Sequence, residues 1–132
     1  VDAKIRALKR SDPASLLCRL MAAQPGGEAR HLAAALRRKD SAARRILQET
    51  ALDLAFGLSH VVHLFHPAVI VIGGGLAGVG EPLRAAVAGE LGALVMKAFA
   101  PGPKVRLTKL GADAVPVGAL ELARTASVAN TK

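Results

Sequence analysis

The run Val69-Ile70-Val71-Ile72-Gly73-Gly74-Gly75 constrains this chain more than any other stretch. Four consecutive apolar residues, rich in β-branched side chains, predict a buried strand over 69–72. Three glycines end it abruptly. Glycine has no Cβ, so backbone there can turn through positive φ and approach a ligand closely. A buried parallel strand that ends in a glycine turn and feeds a helix is a common way to hold a nucleotide.

The flanking patterns are helical. Residues 41–65 carry apolar side chains at alternating spacings of three and four: Ala43, Leu47, Ala51, Leu54, Leu58, Val61, Val62 and Phe65. That spacing predicts one long helix with a core-facing stripe, capped by Asp40 and ended by Pro67. After the glycines, Gly80-Glu81-Pro82 opens a helix expected to reach Phe99, with Leu83, Val87, Leu91, Leu94 and Val95 inward. Glu81 suits its positive end.

Pro101-Gly102-Pro103 turns the chain into a second strand over 104–110, with Val105 and Leu107 on one face. Strand, helix, strand forms a βαβ unit, so the two strands are expected to be parallel with a right-handed crossover. Gly111–Asp113 is a short loop, and Pro116 opens a last helix to about Thr125. Upstream, 2–10 reads as a helix. A second starts with Asp12 as N-cap and Pro13 at its first position, presents Leu16, Leu17, Leu20 and Met21, and stops at Pro25-Gly26-Gly27. A third runs from Glu28 to Lys39 with Leu32, Ala33 and Leu36 inward. The fold class is therefore α/β, mainly helical, with a small parallel βαβ sheet. A strand apolar on both faces belongs inside a sheet, and 104–110 covers only one of its edges. The chain is therefore expected to be part of a longer polypeptide.

The 132 residues suit a single domain over 1–132, with 127–132 a frayed tail. Trp and Tyr are absent and Phe occurs three times, so the core must be Leu, Val, Ile and Ala. The start is charged rather than leader-like, and no apolar run approaches a membrane span, so a cytoplasmic protein is expected. The lone Cys18 excludes an internal disulfide and a zinc cluster, and reads as a core thiol. A net charge of +8 raises nucleic-acid binding. Its basic residues, however, are spread over 4–10, 37–39, 44–45 and 104–109 with no interleaved aromatics to stack bases. A solvated basic surface, or one half of a protein whose other half is acidic, accounts for them.

Gly73, Gly75 and Gly78 fit G-x-G-x-x-G, the dinucleotide fingerprint. The helix opens after Gly80 instead of within the motif, and no acidic residue stands in Val95–Ala100 where the ribose ligand belongs. Walker A needs Gly-Lys-Ser/Thr, which is absent. A tight turn with no ligand is the plain alternative. His60, His63 and His66 lie three apart but lack further ligands in reach, so they read as surface or interface rather than metal site. His31 reads as surface. Asp113 reads as a cap of the last helix.

The segment Leu54 to Leu76, including His66-Pro67-Ala68 and the strand with its Gly-Gly-Gly turn, resembles the C-terminal lobe of the ROK family. That family comprises bacterial sugar kinases and related repressors within the actin-like ATPase superfamily. Leu110-Gly111-Ala112-Asp113-Ala114-Val115-Pro116-Val117-Gly118-Ala119-Leu120 resembles its closing L-G-x-x-A…G-A segment. Arg38-Lys39-Asp40-Ser41-Ala42-Ala43 resembles its G-D-x-x-A helix start. The three motifs keep their order and spacing over about residues 30–126. The family usually has Asn where His66 stands.

The resemblance implies the C-terminal lobe of an actin-like (ribonuclease H-like) fold, with Gly73, Gly74 and Gly75 lining the ribose and phosphates of ATP, which the family's kinases use with magnesium. It implies a parent that phosphorylates a hexose or N-acetylhexosamine, as a glucokinase does. The family's D-x-G-x-T phosphate loop, catalytic Asp, E-x-G-H sugar segment and C-x-C-G-x-x-G-C zinc site do not occur here. The chain alone is thus expected to be inactive. Val117, Leu120 and Leu122, on a helix that packs against the N-terminal lobe in the family, are expected to pair with a dimer partner. Two alternatives are the effector lobe of a sugar-responsive repressor, which would bind nucleic acid through an upstream helix-turn-helix, and a stand-alone helical interaction module.

Overall fold

A computed structural model of the chain describes residues 2–23 and 29–129. Its elements run α1 (Asp2–Ser11), α2 (Leu16–Ala23), α3 (Ala29–Arg37), α4 (Ser41–Phe65), β1 (Val69–Ile72), α5 (Glu81–Leu94), β2 (Lys104–Leu107) and α6 (Ala114–Ala129). Single 3-10 turns occupy Gly75–Val79, Lys97–Phe99 and Gly111–Asp113. The fold is α/β and mainly helical, and β1 pairs with β2 in parallel, Val69 opposite Lys104 and Ile72 opposite Leu107.

Local chemistry sets both ends of α4. Asp40 is extended and its Oδ1 accepts the Ala43 N–H at 2.7 Å. His66 turns left-handed at φ 49°, its N–H bonds the Val62 carbonyl, and Pro67 follows. The core is aliphatic: Ile5, Leu17, Leu32, Leu83 and Leu91 are fully buried, and α4 packs chiefly along α5. At the average transfer energy, each such side chain contributes about 2 kcal/mol.

Several boundaries differ from expectation. α2 starts at Leu16, not Pro13, and its cap is Ser15, whose Oγ accepts the Cys18 N–H at 3.3 Å. Asp12 instead donates its N–H to the Leu8 carbonyl and so closes α1. α5 stops at Leu94, not Phe99: Val95 is extended, and the Met96 N–H leaves the helix to bond His63 Nε2 at 3.2 Å. β2 ends at Leu107, three residues early. α6 begins at Ala114 and runs to Ala129; residues 130–132, the end of the expected tail, lie outside the described residues. So do the expected stop at Pro25-Gly26-Gly27 and the helix start at Glu28.

The buried stripe of α4 runs through Ala51, Ala55, Ser59 and Val62, while Val61 and Phe65 face out. A helix advances 3.6 residues per turn, so a stripe read by choosing the larger apolar side chain drifts off the face that neighbours cover. β1 is half-open: Ile70 and Ile72 pack against the core, and Val69 and Val71 are exposed. Among the described residues β1 has β2 on one edge and no strand on the other.

Candidate functional site

The glycine turn lies at the carboxyl end of β1, where ligands bind in parallel α/β sheets. Gly74 has φ 74° and ψ −168°, and Gly80 has φ 81° and ψ −151°. Both values fall in a region that only glycine occupies without strain. These two residues bracket the 3-10 turn, which is closed by Ala77 N–H to Gly74 O at 3.1 Å and Gly80 N–H to Ala77 O at 3.0 Å. Ala77 and Val79 point into the protein and anchor the turn. Gly73, Gly75 and Gly78 are exposed. A Cβ added at Gly74, Gly75 or Gly78 would meet nothing within 4 Å. Bare backbone with open space above it can admit phosphate oxygens or a ribose against its N–H groups.

α3 packs on this turn. The reversal after Phe65 also brings the start of α4 to the same end of β1 as the start of α5. Between them lies a cleft of about 460 Å³, lined by Ala33, Leu36 and Arg37 of α3, Arg44 and Leu47 of α4, and Val79 and Pro82. Its volume is typical of a small-molecule site. Five basic residues stand between 37 and 45: Arg37, Arg38, Lys39, Arg44 and Arg45. The one acid among them, Asp40, is engaged on both oxygens, since Oδ2 accepts the Leu16 N–H at 2.9 Å while Oδ1 caps α4. In the sequence these cations belong to a basic surface spread over several segments. Their crowding around a capping Asp, at the mouth of a helix, was the available signal.

The three histidines do not converge on an ion. His60 Nδ1 lies 2.8 Å from the Phe56 carbonyl, and His63 Nε2 accepts the Met96 N–H. The rings of His63 and His66 tilt against Phe99, with centroids 5.5 and 4.5 Å away. They brace the connection from α5 to β2. Among the described residues no group of three or more His, Cys, Asp or Glu side chains is placed to hold a metal ion. His31 is buried rather than on the surface, because α3 turns it inward beside Leu32. Cys18 is buried in the core. Asp113 is exposed immediately before α6 and donates its N–H to the Leu110 carbonyl.

The glycine turn, the capped start of α4 and the loop into α6 thus occur in the order expected of one lineage, and the ROK family model matches residues 11–126. The chain belongs to the ROK family. It is 29% identical over 108 residues to a glucokinase of Thermotoga maritima, an alignment covering 82% of this chain and 34% of that protein. The chain spans about a third of the length of this curated relative. ROK membership makes the fold actin-like, and the two parallel strands with their crossover helix are the part of it seen here. No helix among the described residues is long and apolar enough to cross a membrane.

Proposed function

We propose that this chain is the C-terminal nucleotide-binding lobe of an ATP-dependent sugar kinase acting on a hexose or N-acetylhexosamine at its 6-hydroxyl. Gly73, Gly74 and Gly75 seat the ribose and phosphates of ATP, and magnesium arrives on those phosphates. The observation that carries this reading is the place of two glycines that the backbone does not require, on the exposed turn at the carboxyl end of β1. Gly75 and Gly78 lack positive φ and have no neighbour where a Cβ would sit. A ligand lying against the turn explains why no side chain stands there.

Phosphoryl transfer is chiefly positioning and charge neutralisation. The turn contributes position, and the basic residues around Asp40 contribute a field that attracts a polyanion. The proton acceptor for the sugar hydroxyl and the sugar contacts belong to the other lobe, so this chain alone does not turn over. The protein works in the cytoplasm as a homo-oligomer, with the exposed Val117, Leu120 and Leu122 of α6 offered to a partner surface.

The test is sugar-dependent ADP production by the full-length protein and its Gly75→Val variant. The valine fits the backbone but fills the space above the turn. It should raise the KM for ATP about tenfold and leave the KM for the sugar within about twofold. An unchanged KM for ATP, or no sugar-dependent ADP from the wild type, overturns the reading.

A further inference from the structure

The two parallel strands end at the same edge of the sheet, and each is followed by a short loop. β1 runs into the glycine turn, and β2 runs into residues 108–113, which close in the 3-10 turn Gly111–Asp113. The two 3-10 turns pack against each other. Ligands of parallel α/β sheets lie outside this edge, between neighbouring loops. Hydrogen bonds hold the second loop in place. The Thr108 N–H continues the strand ladder to the Ile72 carbonyl at 2.9 Å, Thr108 Oγ1 accepts the Leu110 N–H at 3.1 Å, and the Asp113 N–H donates to the Leu110 carbonyl at 2.9 Å. They set Asp113 down beside the glycine turn.

Asp113 stands where a cap of α6 belongs, as its sequence suggests. Yet its carboxylate makes no capping bond, and it has no hydrogen-bond or ion-pair partner among the described residues. An N-cap side chain serves the N–H of the second or third helical residue. The third residue of α6 is Pro116, which has no N–H to give. The carboxylate is exposed. It is the one acid in residues 73–80 and 108–113. Glu81, the next acid at this edge, is held by the Arg84 guanidinium. The fold therefore leaves one carboxylate free where a ligand would lie.

The chemistry of a nucleotide offers that carboxylate a partner. A carboxylate only accepts hydrogen bonds. Phosphate oxygens also accept and carry like charge, so they match the backbone N–H groups of the glycine turn and not Asp113. The 2′- and 3′-hydroxyls of ribose are two adjacent donors, which the two oxygens of one carboxylate can take together. The acid that Val95–Ala100 lacks thus stands in the loop after β2. We propose that Asp113 positions the nucleotide by accepting from its ribose hydroxyls, and that this makes the site selective for ribonucleotides over deoxyribonucleotides. This rests on the nucleotide reading of the glycine turn.

Calorimetric titration of the full-length protein with ADP, 2′,3′-dideoxy-ADP and inorganic tripolyphosphate, with and without magnesium, tests this. Wild type should bind ADP about tenfold more tightly than the dideoxy analogue. Asp113→Ala should weaken ADP about tenfold and bind the two nucleotides within about twofold of each other, because the hydroxyls then have no acceptor to lose. Asp113→Asn keeps one acceptor oxygen and should fall between. Tripolyphosphate has no ribose and should bind the variants no more weakly than wild type. Asp113 is exposed, so thermal melts should match wild type; if the alanine variant melts early, the wild-type ratio and the asparagine variant decide. The proposal is overturned if wild type binds both nucleotides alike, or if Asp113→Ala keeps the wild-type ratio. It is overturned too if Asp113→Ala weakens ADP only when magnesium is present, which makes the carboxylate a metal ligand. If Gly75→Val weakens ADP while the hydroxyls make no difference, only the role of Asp113 fails. If no nucleotide binds, the nucleotide reading fails with it.

Discussion

Replacing Asp40 by alanine removes two acceptors at once. Oδ1 lies 2.7 Å from the Ala43 N–H and Oδ2 lies 2.9 Å from the Leu16 N–H. The first bond caps α4, and loss of such a cap costs about 1 kcal/mol. The second ties the start of α2 to that cap across 24 residues of sequence, and a hydrogen bond to a charged group contributes about 2 kcal/mol. Asp40→Ala should therefore cost about 3 kcal/mol, a fall of about 10 °C in melting temperature for a chain of this size. Asp40→Asn separates the two. Asparagine is as good an N-cap as aspartate, but its amide has one acceptor oxygen and directs an NH2 at the other donor. It should keep the Ala43 bond, lose the Leu16 bond and cost about 2 kcal/mol. Amide hydrogen exchange locates the loss: Asp40→Asn should speed exchange at Leu16 but not at Ala43, and Asp40→Ala at both. If Asp40→Asn is as stable as wild type, or Asp40→Ala costs under about 1 kcal/mol, the double role is refuted.

Thr50 Oγ1 is buried without a hydrogen-bond partner, so Thr50→Val should stabilise by about 1 kcal/mol in urea melts; a loss of stability would show that the hydroxyl is used. The Glu81 carboxyl is held below its ordinary range by hydrogen bonds from the Arg84 guanidinium, Nε lying 2.9 and 2.8 Å from the two oxygens. A lowered folded pKa stabilises above the ordinary glutamate value and is lost as pH falls through the lowered one. Arg84→Met should therefore raise the Glu81 pKa in an NMR titration, and an unmoved value refutes the assignment.

What the sequence made legible was what neighbours in sequence decide. Asp40 and Pro67 fix α4 within a few residues of themselves, and β1 is bounded by its own β-branched run and the glycines after it. The structure departs from the local sequence pattern where the deciding partner is distant. Asp12-Pro13 is a sound local start signal, yet α2 waits until Leu16, whose N–H is held by Asp40. Periodicity carries α5 onward to Phe99, yet the Met96 N–H is taken by His63, 33 residues earlier. His31 sits between charged and apolar neighbours that give no facing, and only the packing of α3 buries it. The cleft was hidden for the same reason, since its walls come from three helices and a turn.

The glycines show how far a motif can be pressed. From sequence alone, a turn needed by the backbone and a turn needed by a ligand look the same, because both demand residues without a Cβ. The backbone separates them. Gly74 and Gly80 take dihedrals closed to other residues, so the fold accounts for them whether or not anything binds. Gly75 and Gly78 take ordinary φ and have room for a side chain. A chain that needed only a tight turn could place alanine at both, and the lower backbone entropy of its unfolded state would make it more stable by about 0.5 kcal/mol at each. Keeping glycine there forgoes that gain, and space for a ligand against the backbone is a physical reason to do so. Gly75→Ala and Gly78→Ala thus have opposite expected signs for stability and for nucleotide affinity. A turn that serves the fold alone has no affinity to lose.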